Sequence, residues 1–556
     1  MRKTFIIIFC CVAVLLTGYV GYRSYNVWKC SHLMSLAHQF LAKDDGRNAL
    51  LCVQQVLRSD PHNLDATRVM AQLTEAARSP GAVLWWSRVV ELNPHSLDDR
   101  LALAQSAVVM RDYATATNAL GGVDQADKNT VAYHNIAGTV AAAANLPAQA
   151  EQQFLEAARL DPENQSVQLN LAVVRLHGTN LAAVTEARDS LRQLSSNATS
   201  SFLRCQALRE LAFDALRHRQ ADEALLLSKQ LLQETNSTFQ DRLLRLDVLQ
   251  QAQPAGFRAA LAAFQHEAGG DPGKISALAT WQMANTSPQD ALTWLRTLPS
   301  NTQTNQSVEL LVAECCTMLR DWHGLQSSIE RQNWAELEFL RHAFLSRALR
   351  GQELADSSKA EWELALQAAN GQKAGLIMLL RLAAQWNWQS EGEDILWTIV
   401  NRYPGEHWAV QGLSQALYAG GRTRSLMQLF GQEAKRIPSD LSAKNNLAMT
   451  ALLLDAQELK PYDLAREVYQ KSPTNAFYVS TYAFSLYLQG KNAEALKIMK
   501  TLTLQELRDP SWAGYYGLIL KATGDRAEAR AYLDLSSKAR LLPEEKKLFD
   551  DAKAGL

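Results

Sequence analysis

The sequence predicts an all-α fold, and three observations carry that prediction. Ala, Leu, Gln, Glu and Arg, all good helix formers, dominate the 556 residues. Gly and Pro fall mostly between apolar segments, and strand-like alternation is nearly absent. The length is too great for one compact core, so several domains or a quasi-linear array are expected. Charge is balanced, with 56 Lys+Arg against 57 Asp+Glu. That balance lacks the basic footprint of a nucleic-acid binder, and no nucleic-acid partner is expected.

Residues 1–29 open with a basic start, followed by an uncharged run from Thr4 to Tyr22 that Arg23 closes. Helical rise of ~1.5 Å per residue makes that run roughly 28 Å long, close to the hydrocarbon thickness of a bilayer. A cleavable signal would need small residues at −3 and −1, but Leu16/Gly18 and Tyr19/Gly21 place a bulky group at −3. Tyr19, Tyr22, Tyr25 and Trp28 read as an interfacial aromatic belt. The expectation is an uncleaved, single-pass anchor through residues 4–22 in the cytoplasmic (inner) membrane. Arg2 and Lys3 flank one side and Arg23 and Lys29 the other, a slight positive-inside bias. It favours an extracytoplasmic bulk and leaves a cytoplasm-facing orientation open.

Residues 131–164 read VAYHNIAGTVAAAANLPAQAEQQFLEAARLDPEN. Two helices fit, over about 132–144 and 147–160, with Pro147 well placed at a helix start, where its missing N–H costs nothing. Small residues Gly138 and Ala150 would face each other across the hairpin, Phe154 would fill the space beyond, and Ala157 would admit the next hairpin. Asp161-Pro162 then stops the second helix. The pattern recurs. Residues 30–62 give Leu36-Ala37, Ala49, Val53 and Pro61; residues 63–95 give Met70, Ala82, Trp86 and Pro94. Residues 407–439 give Leu413-Ser414, Gly421, Phe430 and Pro438, and residues 510–543 give Tyr516-Gly517, Gly524, Ala529 and Leu533. Between 239 and 400 the register blurs, although Arg320–Trp322 and Trp386–Trp388 stand where hairpin turns belong.

These stretches resemble the tetratricopeptide repeat family, whose period is about 34 residues. The resemblance implies a right-handed superhelical solenoid of stacked helix-turn-helix hairpins, preceded here by one transmembrane helix. It divides the chain into the anchor (1–29), an N-terminal array (30–238), degenerate repeats (239–400) and a C-terminal array with a polar closing helix, LLPEEKKLFDDA (401–556). No hairpin buries its apolar stripe alone; stacking supplies the core.

Motifs that suggest chemistry fail on context. AGGDPGKI at 268–275 is close to a phosphate-binding loop, but Ile275 stands where Ser or Thr should hold magnesium, and a helical pattern precedes it. GLSQA at 412–416 lacks the second glycine of a nucleophile elbow. The seven cysteines form no C-x-x-C pair, Cys315-Cys316 reads as helix packing, and the histidines show no metal-ligand spacing. No catalytic residue, metal or cofactor is assigned. The Trp-rich middle (Trp281, Trp294, Trp322, Trp334, Trp362, Trp386, Trp388, Trp397) reads as inter-helix core rather than a sugar or lipid patch.

The family resemblance implies that one face of each first helix lines a concave groove for protein or peptide partners. Carried onto this chain, that face holds Trp408, Gln411, Gln415, Tyr418, Phe477, Phe484 and Tyr487 late in the sequence. Earlier it holds Asn135, Thr139, Leu169 and Val173. One subtype of the family clamps a carboxylate-terminated peptide with Lys and Asn; Asn170 and Asn446 match the Asn, but the accompanying Lys is missing. The expected function is a membrane-tethered scaffold for protein–protein interaction in envelope assembly or polysaccharide export. The alternatives are a cytoplasm-facing assembly adaptor and an enzyme with a repeat-built groove. The first would resemble the adaptors that couple lipid-A synthesis to proteolysis, whose C-x-x-C module is absent here.

Overall fold

The computed structural model describes residues 25–556 except 80, 253 and 370. Among the described residues every regular element is helical and no strand occurs. Contacts divide the chain into two compact units. One holds the described residues up to Ser287 together with Thr297–Thr302, the other Pro288–Arg296 with Gln303–Leu556.

Hairpin geometry is set at the turns. The residue that ends each tight turn adopts the left-handed conformation, which satisfies the last carbonyls of the first helix. In the first unit Asp44, Arg78, Arg111 and Asn145 take this role at intervals of 33–34 residues. In the second, Arg320, Glu353, Asn387, Gly421, Asp455, Gly490 and Gly524 follow at 33–35 residues. The blurred stretch is therefore in register from Arg320 onward. Connections between hairpins reuse one device. Asp60-Pro61-His62-Asn63 and Asp161-Pro162-Glu163-Asn164 each end a helix at Asp and start the next at Asn. The Asn164 side chain accepts from Val167 N–H at 3.3 Å and donates to Asp161 at 3.1 Å.

In the first unit the hairpin Val131–Ala143 and Pro147–Leu160 shows why small residues recur. A Cβ on Gly138 would come within 2.5 Å of the Phe154 ring, so only glycine permits this approach. Ala150, Phe154 and Ala157 are buried beside it. The unit's interior is a series of local clusters: one around Met34, Val53 and Val69, one around Trp86 and Leu103, one around Leu191 and Leu211. Quasi-linear stacking predicts such a series.

In the second unit the same slot is filled by Gly517, where a Cβ would lie 2.8 Å from Leu533 Cγ. The segment Asp455–Pro461 is a short 3-10 turn, Gln457–Leu459, with left-handed Lys460 setting Pro461 at the next helix start. Trp281 in the first unit is buried, as are Trp294, Trp334, Trp362, Trp386 and Trp388 in the second. Trp322 and Trp397 are half-buried. Cys315 and Cys316 are buried on Gln306–Leu319, and burial pushes their thiols up to about 12 and about 11. Ala268–Ile275 runs from the end of one helix through the short link 269–271 into the first turn of the next, where Asp271 caps Pro272–Asn285 by accepting from Gly273 and Lys274 N–H.

The membrane expectation requires correction. Among the described residues no helix is long and apolar enough to cross a membrane. Helices after residue 45 run 4–17 residues. The longest of them falls short of the roughly 20 apolar residues that a spanning helix needs. The run 4–22 lies outside the described residues. A single-pass location in the inner membrane, and the extracytoplasmic placement built on it, are not supported.

Candidate functional site

The second unit ends in four hairpins whose first helices are His407–Ala419, Leu441–Leu453, Ala476–Leu488 and Pro510–Ala522. A last helix, Pro543–Ala554, follows. It is more than a polar lid. Glu545, Phe549 and Ala552 share one face and are buried. Phe549 meets Tyr515 edge-on at 5.1 Å between ring centres.

This helix also reaches back across more than 120 residues. The Tyr418 hydroxyl donates to the Arg540 carbonyl at 3.0 Å and lies 3.3 Å from Glu545 Oε2. Thr423 hydrogen-bonds Glu544. Glu545 also receives the Tyr515 hydroxyl, and Leu542 N–H at 2.8 Å. Burial pushes the Glu545 carboxyl above the usual carboxylate range, although the hydrogen bonds from Tyr515, Leu542 and Tyr418 pull the other way. Burial beside that carboxyl likewise raises the Tyr418 and Tyr515 phenols.

The closure leaves a cavity of about 560 Å³. Gln415, Tyr418, Asn446 and Phe477, all placed on the groove face by the sequence, line it. Trp408 and Gln411 do not; Trp408 is exposed, and its indole N–H donates to Glu406 at 2.6 Å. Phe484 is buried with its ring 4.8 Å from that of Tyr515, and Tyr487 is half-buried against the same core. In the first unit Asn170 donates to the Asn135 side chain at 2.9 Å, and Thr139 donates to the Asn135 carbonyl at 2.9 Å. Leu169 is buried and Val173 packs against the same cluster.

Sequence reasoning did not single out Asn445, Ser480, Trp512, Tyr515, Arg540 or Glu545, which also line the cavity. One signal was available. Glu545, Phe549 and Ala552 stand at the i, i+4, i+7 spacing of a packed helix face. Among the described residues no group of three or more His, Cys, Asp or Glu is placed to hold a metal ion.

Helical hairpins in register, joined by close-packed small residues and presenting the faces of their first helices, define a helical-repeat array. The Gly138–Phe154 and Gly517–Leu533 approaches and the turn spacing are those that the tetratricopeptide resemblance predicts. No family model and no curated protein sequence matches the chain. Among solved structures, PilF of Pseudomonas aeruginosa is similar over 39% of this chain and 96% of its own, at 16% identity and TM-score 0.31. Cut9–Hcn1 of the APC/C is similar over 82% and 96%, at 14% identity and TM-score 0.28. Naa15/Naa10 bound to HypK is similar over 95% and 78%, at 14% identity and TM-score 0.28.

Proposed function

We propose that the chain works as a binding scaffold for protein or peptide partners, through the groove faces of its first helices and without chemistry of its own. The observation that supports this reading is the exposure of large aromatic side chains on those faces. Phe477 is 59% and Trp408 43% exposed, although neighbouring aromatics on the same helices are spent in the core. Aromatic anchors of this kind are enriched at binding interfaces. The reading is confined to the interaction surface, because the envelope setting rested on the corrected membrane span.

A photo-crosslinking residue placed at Trp408 or Phe477 in the native cell tests it. The expected result is a discrete protein adduct at both sites, absent when the probe sits at Leu84, and lost from the Trp408 probe when Phe477→Ala is added. Identical adduct patterns at all three positions would sink the proposal.

A further inference from the structure

We propose that the groove face of the second unit, from Glu338–Gly351 to the last helix, docks an acidic peptide segment whose Glu or Asp side chains meet Arg347, Arg381 and Arg540. This deepens the scaffold reading and rests on it, naming the class of partner. Arg347 and Arg350 stand six and three residues before the left-handed turn residue Glu353, as Gln415 and Tyr418 stand before Gly421. Arg381 stands six residues before Asn387. Hairpins stacked in one register place such residues on one face. Arginines therefore run along the stretch that leads to Gln415 and Tyr418.

Rings rather than a carboxylate hold Arg347. Its guanidinium lies 5.1, 5.7 and 5.6 Å from the ring centres of Trp322, Trp386 and Trp388, and that of Arg350 lies 3.7 Å from the Trp388 ring. Trp388 is also a wall of a second cavity, of about 450 Å³, which Ala384, Arg422 and Arg540 line. Arg540 borders the chamber beside Phe477 as well, so an apolar residue of the same segment has a seat next to the acidic ones. Arg381 and Arg540 are exposed. Among the described residues neither they nor Arg347 have a carboxylate within ion-pair distance. The carboxylates beside them are engaged: Glu391 by Arg350, Glu393 by Arg422 at 2.7 Å, Glu544 by Thr423, and Glu545 by Tyr515 and Tyr418. Burial, with Arg350 and Arg320 close by, holds the Arg347 guanidinium below its ordinary value, as expected where positive charge is left uncompensated. A partner that brings carboxylates relieves that field, and complementary charge of this kind sets partner choice.

The test is fluorescence anisotropy of the full chain with a labelled peptide of about ten residues, capped at both ends, that alternates Glu with Ala around a central Phe, beside its Gln and Lys counterparts. The Glu peptide should bind about tenfold tighter than the Gln peptide at low salt, and the preference should fade toward 1 M salt, where the Debye length is ~3 Å. Arg381→Glu combined with Arg540→Glu should weaken the Glu peptide about tenfold and strengthen the Lys peptide. The melting temperature should hold, because neither side chain has an ion-pair partner to lose. Arg530→Glu, the same reversal on the second helix Arg526–Ser536, should change the Glu peptide less than about twofold. If the double variant fails to fold, Arg381→Glu alone decides. Equal binding of the Glu and Gln peptides, no saturable binding of the Glu peptide, or equal losses from the Arg530 and groove variants overturns the acidic partner. The scaffold reading falls only with the crosslinking result, so the two failures are told apart.

Discussion

The first unit and the last hairpins of the second solve one problem with different chemistry. Both must join a helix to its counterpart one repeat further on. The first unit uses charged and polar pairs. Arg209 grips Asp241 through Nε and an η nitrogen at 2.7 and 2.9 Å, Arg68 grips Asp99 the same way at 2.7 and 2.7 Å, and Asn170 pairs with Asn135. The last hairpins use rings: Phe477 on Trp512 at 5.0 Å, Phe484 on Tyr515 at 4.8 Å, Tyr515 on Phe549 at 5.1 Å. A bidentate guanidinium–carboxylate pair fixes register and leaves few polar atoms unsatisfied. Ring contacts bury more apolar area but impose no hydrogen-bond partners. The difference sets the character of the cavity beside the rings, whose walls include Phe430, Met449, Phe477 and Trp512.

Two substitutions should break this contrast from opposite ends. Phe549→Ala removes a ring that is 1% exposed and should cost about 3–5 kcal/mol, the range for deleting a buried Phe. Hydrogen exchange should rise across Pro543–Ala554 and around Tyr418, with the Arg209–Asp241 joint unchanged. Asp241→Ala leaves Arg209, whose side chain is 22% exposed, without its carboxylate. The expected loss is about 3 kcal/mol, with exchange rising in Ser201–Arg217 and Phe239–Ala252 and not in the last helix. Spread of either effect to the other site would show that the two joints are not independent.

How much of this was legible in the sequence depended on whether the signal was local. The hairpin read at 132–144 and 147–160 lies at Val131–Ala143 and Pro147–Leu160, because Gly138, Ala150, Phe154 and Pro147 act within one repeat. The stretch that resisted reading lies before Arg320: among the described residues no left-handed turn falls between Arg219 and Arg320, so the 33–35-residue spacing found elsewhere is missing there. The membrane reading failed for another reason. Hydropathy of one short run was extended to the placement of a chain in which no described helix is long and apolar enough to cross a membrane. The groove face was partly readable from the family resemblance, which placed on it Gln415, Tyr418, Asn446 and Phe477, residues that line the cavity. The resemblance also put Phe484 on that face, whereas the ring packs inward on Tyr515. The closure itself was not readable. It depends on Tyr418 meeting Arg540 and Thr423 meeting Glu544, contacts 122 and 121 residues apart that no repeat pattern encodes.

A smaller perturbation sharpens the comparison at the latch. Tyr418→Phe keeps the ring and deletes the hydroxyl that reaches Arg540 and Glu545. It should cost about 1 kcal/mol, with faster exchange confined to the loop before Pro543. An unchanged exchange profile there would mean that the apolar contacts of Phe549 hold the helix without help.

The finest distinction is in pH. Burial pushes Asp241 up, but hydrogen bonds from Arg209 and Thr238 outweigh it, and the carboxyl ends below its ordinary 3.8. Its stabilising contribution is therefore present above about pH 3.8 and is lost as pH falls through the lowered value. Glu545 is shifted in the opposite sense, above 4.5, because burial outweighs its hydrogen bonds. Its contribution is present below about pH 4.5 and is lost as pH rises through the raised value. Mild acid should thus tighten the C-terminal latch before it weakens the Arg209–Asp241 joint. Glu545→Gln, an uncharged near-isostere, should make the protein more stable than the parent at neutral pH. Urea titrations over a pH series should show that advantage shrinking on acidification and gone below about pH 4.5. A Gln variant less stable than the parent at neutral pH would mean that Tyr515, Leu542 and Tyr418 hold the charged carboxylate more strongly than burial opposes it. The latch would then follow the same electrostatic rule as the joints of the first unit.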